Sequence, residues 1–208
     1  GDGVVGLLRS LGAHEVVSGG QSMNPSTADI VDALSRLNAD GVIVLPNNKN
    51  IVPVAQQAAA QLDIPVRVVP THSVAEGLAA LVAYDPEAAV DENAAAMESA
   101  AGAVVSGAVT RAVRDATTPA GAVREGDEIG VSRDGVVSIA DTVVGAATGL
   151  LAALIDDTHE IITLITGAEA TEADTAAICA WLEAEHPDLE VEVHNGGQPL
   201  YVYEIGIE

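Results

Sequence analysis

Between His14 and Tyr84 a short apolar run, a polar or glycine-rich turn and an amphipathic stretch follow one another three times, which leaves this chain few architectures. The first unit is the run His14–Ser18, the turn 19–27 and a helix with Ile30, Val31, Leu34 and Leu37 on one face. The second is a strand at 42–45, the loop 46–50 and a helix over 51–62, in which Pro53 is tolerated because first-turn N–H groups have no intrahelical acceptor. The third is a strand at 66–69, the loop 70–72 and a helix to about Tyr84 that opens on a capping box, Ser73 to Glu76. Three such units in series predict a parallel sheet with right-handed crossovers. They also bring loops 19–27, 46–50 and 70–72 together at the carboxyl ends of the strands, where open α/β sheets bind ligands.

The chemistry in those loops is polar and suits an anion. Gly19, Gly20, Gln21, Ser22, Asn24, Ser26 and Thr27 lead into a helix that Asn24 can cap with Pro25 at the first position, or Ser26 slightly later. Unpaired N–H groups at the positive end of that helix would stabilise an anion or a carboxyl group. The second loop adds Asn47, Asn48, Asn50 and Lys49, the only lysine of the chain; the third adds Thr71 and His72. The competing readings are a tightly capped turn without ligand, a surface lysine closing a turn, and a loop histidine bonded to a neighbouring carbonyl.

The repeat stops at Asp85-Pro86, which sets an expected division into a parallel α/β subdomain, 1–85, and an α+β subdomain, 86–208. The second holds an alanine-rich helix from Glu87, alternating apolar residues over 104–115, and a hairpin around Asp134-Gly135. A helix to Leu154, a strand at 161–166, a helix starting at Thr171 and two closing strands complete a mixed or antiparallel sheet. At the other end, Gly1-Asp2-Gly3 runs straight into a helical pattern, Val5, Leu8 and Leu11, with no strand before it. In an alternating α/β chain this reads as a piece of a longer polypeptide cut just after its first strand.

Charge narrows the partners. A formal net charge of −23 repels nucleic acid and anionic membrane, and no apolar run approaches the length of a spanning helix, so neither nucleic-acid binding nor membrane insertion is expected. No Lys or Arg follows Arg133, whereas residues 134–208 hold fifteen of the 31 acidic residues. That half seeks a basic partner or serves as a solubilising surface. A single cysteine, Cys179, and no signal peptide point to the cytoplasm. There is no phosphate-binding Walker loop, dinucleotide fingerprint or nucleophile elbow, and the five histidines fall at no paired metal-ligand spacing, so neither catalytic nor metal-binding residues are expected.

The stretches GGQSMNPST, LPNNKN and VVPTHS together resemble the carboxy-terminal region of the catalytic subunit of bacterial fatty acid kinase, of the dihydroxyacetone kinase-like family. The resemblance covers nearly the whole chain. It implies a two-lobed α/β fold of DegV-like (EDD) type, with the first lobe truncated before its first strand and an α+β second lobe. It places ATP and Mg on a separate amino-terminal kinase domain of the parent and leaves this region without catalysis or cofactor. In the related fatty-acid-binding proteins a Ser/Thr loop holds the lipid carboxyl group; the corresponding residues here are Ser22, Asn24, Ser26 and Thr27, with Asn48, Lys49 and Thr71 nearby. The uneven charge then suggests a domain that docks an acyl-carrying fatty-acid-binding protein through a basic face of that partner. The alternative is a small-ligand module that binds a carboxylate or phosphate, such as a fatty acid or acyl phosphate, in the cleft at loops 19–27, 46–50 and 70–72.

Overall fold

The computed structural model describes residues 1–18 and 24–208. Its elements run, in chain order, α1 (Asp2–Ser10), α2 (Thr27–Arg36), β1 (Val42–Val44), α3 (Val52–Ala59), β2 (Val66–Val68), α4 (Val74–Val82) and α5 (Val90–Ala103). They continue with β3 (Val105–Arg111), β4 (Ala116–Thr118), β5 (Gly121–Val123), β6 (Glu128–Ser132), β7 (Gly135–Ala140) and α6 (Val143–Leu154). The last four are β8 (Ile161–Thr166), α7 (Glu172–Glu185), β9 (Glu190–Asn195) and β10 (Tyr203–Ile207). Among the described residues no helix is long and apolar enough to cross a membrane.

Two compact units emerge, Val5–Val104 and Gly1–Val4 with Val105–Glu208. The division thus falls at Val104/Val105 rather than at 85/86. Helix α5 packs against α4, β1 and β2, which keeps it with the first unit. It also begins three residues later than the expected Glu87. The reason is the buried Asn93: its Oδ1 accepts the Asp85 N–H at 2.7 Å, and its Nδ2 donates to the Asp85 and Ala88 carbonyls at 2.6 and 3.2 Å. Groups that would belong to an extra helical turn are held in a loop instead.

In the first unit β1 and β2 pair in parallel, Val42 opposite Val66 and Val44 opposite Val68, as two of the three predicted units require. Ile30, Leu34, Val42, Ile51, Ala55 and Ala58 form its core, so α2 and α3 bury the faces that their spacing marks out. The strand expected at 14–18 is absent. His14, Glu15, Val17 and Ser18 are exposed there, and two adjacent valines among polar neighbours offer too little apolar surface to hold a strand.

The second unit is built on a six-stranded sheet in the order β7-β6-β3-β10-β8-β9, antiparallel except for the β8–β9 pair, whose connection is α7. One face carries Val109, Ile162, Leu164, Tyr203, Ile205 and Ile207 against Ala146, Leu150 and Leu151 of α6 and Ile178 and Leu182 of α7. The expected mixed sheet is therefore the observed one. A second hairpin, β4–β5, rises from the β3–β6 connection where the sequence marks none; the alternation expected to reach Asp115 ends at Arg111.

Candidate functional site

The exits of β1 and β2 meet in a small polar framework. Past β1 the chain turns at Asn47, whose φ of 56° is the left-handed conformation that asparagine tolerates better than most residues. Thr71, fully buried beyond β2, closes the contact from both sides: its Oγ1 accepts the Asn47 N–H at 2.9 Å and donates to Asn47 Oδ1 at 2.8 Å. Gly77, in the first turn of α4, makes room for this clasp, since a Cβ there would stand 2.2 Å from Asn47 Oδ1. Two loops 24 residues apart are thereby locked to one another.

A buried carboxylate fixes the rest of the second loop. Ser73 caps α4 by accepting the Glu76 N–H at 3.1 Å, as expected. The reciprocal bond goes elsewhere: Glu76 Oε2 accepts the His72 N–H at 2.6 Å, with the imidazole Nδ1 3.5 Å away. Glu76 is thus a loop anchor as well as a helix-start residue. Its position in a capping pattern is the only signal in the sequence, and that pattern assigns it to the wrong N–H.

Of the expected site residues, Gly19, Gly20, Gln21 and Ser22 lie outside the described residues. Asn24 is exposed. Ser26, not Asn24, caps α2: its Oγ accepts the Asp29 N–H at 3.2 Å, while Asp29 Oδ2 accepts from Ser26 Oγ and N at 2.7 and 2.8 Å. Those bonds hold the Asp29 carboxyl below its ordinary range, the Ser26 hydroxyl contributing most and its backbone N–H next. The positive end of α2 is therefore already matched by a carboxylate of its own. Thr27 donates to Gln57 of α3 at 3.1 Å and ties the two helices together.

Asn47 and Thr71 are brought together, His72 sits beside Glu76, and Asn48 Oδ1 accepts the Asn50 N–H at 2.9 Å to form a tight turn. That turn leaves Lys49 and Asn50 at the surface. Lys49 makes no ion pair among the described residues. A rigid Asn–Thr–Glu scaffold with an outward ammonium group is suited to holding an anion.

The second feature is electrostatic. The unit made of Gly1–Val4 and Val105–Glu208 carries twenty acidic residues and four arginines, the Val5–Val104 unit eleven acidic residues and four basic ones. All four arginines of the former lie between Arg111 and Arg133. Of the fifteen acids beyond Arg133, thirteen are exposed; Asp174 and Glu204 are half-buried. Helix α7 and strand β9 alone present Glu172, Glu183, Glu185, Glu190 and Glu192 to solvent. Two of these acids lie beside histidines: Asp156 Oδ1 is 3.4 Å from His159 Nδ1, and Glu192 Oε2 is 3.3 Å from His194 Nε2. Glu204 stands apart: its Oε2 is shut off from solvent with no hydrogen-bond partner among the described residues, and burial pushes its pKa up to about 7.

A family model for the C-terminal part of the A-like component of fatty acid kinase matches residues 1–208. An uncharacterized protein of Staphylococcus haemolyticus is 41% identical over 208 residues, covering 100% of this chain and 38% of that protein. The chain thus spans well under half the length of such relatives. Among solved structures, a DegV family protein from Corynebacterium glutamicum aligns with a TM-score of 0.63 at 17% identity, over 98% of this chain and 90% of that one. The Streptococcus pneumoniae fatty acid kinase B3 protein, loaded with linoleic acid, aligns with a TM-score of 0.63 at 11% identity, over 88% of this chain and 76% of that one. Identities this low establish likeness of fold, and the DegV-like fold expected from the sequence is the fold observed.

Proposed function

The chain belongs to the family of C-terminal regions of fatty acid kinase A-like proteins, and from that membership we propose that it is a non-catalytic docking domain for an acyl-carrying fatty-acid-binding protein. The parent polypeptide is a fatty acid kinase whose ATP and Mg are held by a separate domain, and this region brings the acyl carrier to it. The observation that carries the reading is the run of 75 residues beyond Arg133 with fifteen acids and no lysine or arginine. A field of one sign on exposed side chains attracts a basic face, raises the encounter rate and orients the partner before contact. A solved neighbour that is itself a fatty acid kinase component loaded with linoleic acid supports the class of partner.

The test is binding of the acyl-loaded protein to this domain across a salt series. Docking by exposed carboxylates weakens steeply as the Debye length falls from about 10 Å at 0.1 M to about 3 Å at 1 M salt. Affinity indifferent to salt would remove the proposal.

The Asn47–Thr71 clasp favours a second reading, in which loops 46–50 and 70–72 hold a carboxylate or phosphate, with Lys49 as the charged contact. A fatty acid or acyl phosphate that raises the melting temperature of the wild type but not of Lys49→Ala supports it; equal shifts in both discard it.

A further inference from the structure

Strand β9 ends the six-stranded sheet of the second unit, and among the described residues it pairs with β8 alone. The direction of its backbone groups follows from two bonds. Glu190 N–H donates to the Glu160 carbonyl and Gly196 N–H to the Thr166 carbonyl, each at 2.9 Å, so the even-numbered residues of the strand face β8. Peptide groups alternate along a strand, and the N–H and C=O of Val191 and Val193 therefore point away from the sheet. Among the described residues no hydrogen bond takes them up. The last residue, Asn195, lies against Gly3, where a Cβ would meet the Asn195 carbonyl, so the open stretch is 190–194. Proline, a bulge or a strong twist ordinarily blunts such an edge. Strand β9 has no proline and no residue in the left-handed region, and its register with β8 runs without a shift from Glu190 to Asn195.

The side chains of the edge sort by face. Glu190, Glu192 and His194 share one side of the sheet; Val191 and Val193 share the other, with Val191 packed on the core and Val193 46% exposed. Just before the strand, Glu185 and Asp188 are exposed as well, and no lysine or arginine follows Arg133. This charge rules out a second copy of the chain as occupant, since pairing two β9 edges would set glutamates against glutamates. We propose, resting on the docking reading above, that β9 is extended by a strand of the acyl-carrying partner, with Lys or Arg at alternate positions beside Glu190 and Glu192 and an apolar residue between them beside Val193. Backbone bonds to Val191 and Val193 fix the register of the added strand, and the glutamates select a basic one.

Amide hydrogen exchange of the full chain, alone and with the acyl-loaded binding protein, tests this. Alone, the Val191 and Val193 amides exchange fast, whereas those of Glu192 and His194, bonded to β8, are protected. In the complex the first two are expected to slow by about tenfold or more, with the other two unchanged. Val193→Pro removes an outward N–H at an edge position, where proline is tolerated, and is expected to weaken binding by about tenfold or more, while Val193→Thr stays near wild type. A complex in which Val191 and Val193 exchange as they do in the chain alone overturns the proposal, whether or not Val193→Pro folds. Wild-type affinity in a folded Val193→Pro overturns it too. Salt-sensitive binding with those amides unprotected leaves the acidic docking reading standing; absence of any complex across the salt series removes that reading and the added strand with it.

Discussion

At the scale of single residues the sharpest consequence concerns Glu204. Its carboxyl titrates near 7 in the folded protein, because burial disfavours the charged form, against an ordinary value of 4.5. The folded state therefore holds a proton that the unfolded chain releases first. Stability falls as pH rises from about 4.5 to about 7, and the loss is complete above that, on the order of 3 kcal/mol. Glu204→Gln is expected to melt higher than wild type at pH 8 and to match it near pH 4.5, as thermal unfolding across pH will record. The Asn47–Thr71 clasp gives a second residue-level expectation. Thr71→Val leaves the Asn47 N–H without its acceptor at a cost of about 1–3 kcal/mol, and Gly77→Ala forces Asn47 Oδ1 aside at a similar cost. Denaturant midpoints of the two variants measure both. Neither contact is legible in the sequence, since each joins residues whose proximity exists only after β1 and β2 have paired.

At the scale of elements, local chemistry is readable wherever it is self-contained. The β6–β7 hairpin follows from Asp134-Gly135, where Gly135 takes a φ of 124° closed to most other residues. Helix α7 starts where Thr171 says it should, with its Oγ1 accepting the Asp174 N–H at 3.0 Å. Thr171→Ala is expected to cost about 1 kcal/mol. What sequence misses depends on distant partners. The alanine-rich α5 has small side chains all round, so its sequence does not say which unit it joins; its buried Asn93, Met97 and Ala101 do. Asn93 also explains the late start of that helix. Asn93→Ala strands the Asp85 N–H and two carbonyls and is expected to destabilise by about 2–4 kcal/mol, against under about 1 kcal/mol at the exposed Asn195. The β4–β5 hairpin is hidden because three-residue strands rich in Ala, Thr and Gly carry almost no period-two signal.

At the scale of the whole molecule charge decides most, and sequence reports it directly while structure qualifies it by exposure. The acids of 134–208 face solvent with two exceptions, and all four arginines of that unit lie between Arg111 and Arg133. The stretch beyond Arg133 is thus left strongly negative, suited to a partner of opposite charge. The most direct measurement is the association rate constant between the acyl-loaded binding protein and two quadruple variants at low salt. One replaces Glu172, Glu183, Glu185 and Glu190 by glutamine; the other replaces the exposed Glu15, Asp32, Asp91 and Glu98 of the first unit by their amides. Docking through the acidic half predicts a rate lower by about tenfold or more for the first variant, with the second close to wild type. Equal rates for the two variants would contradict it.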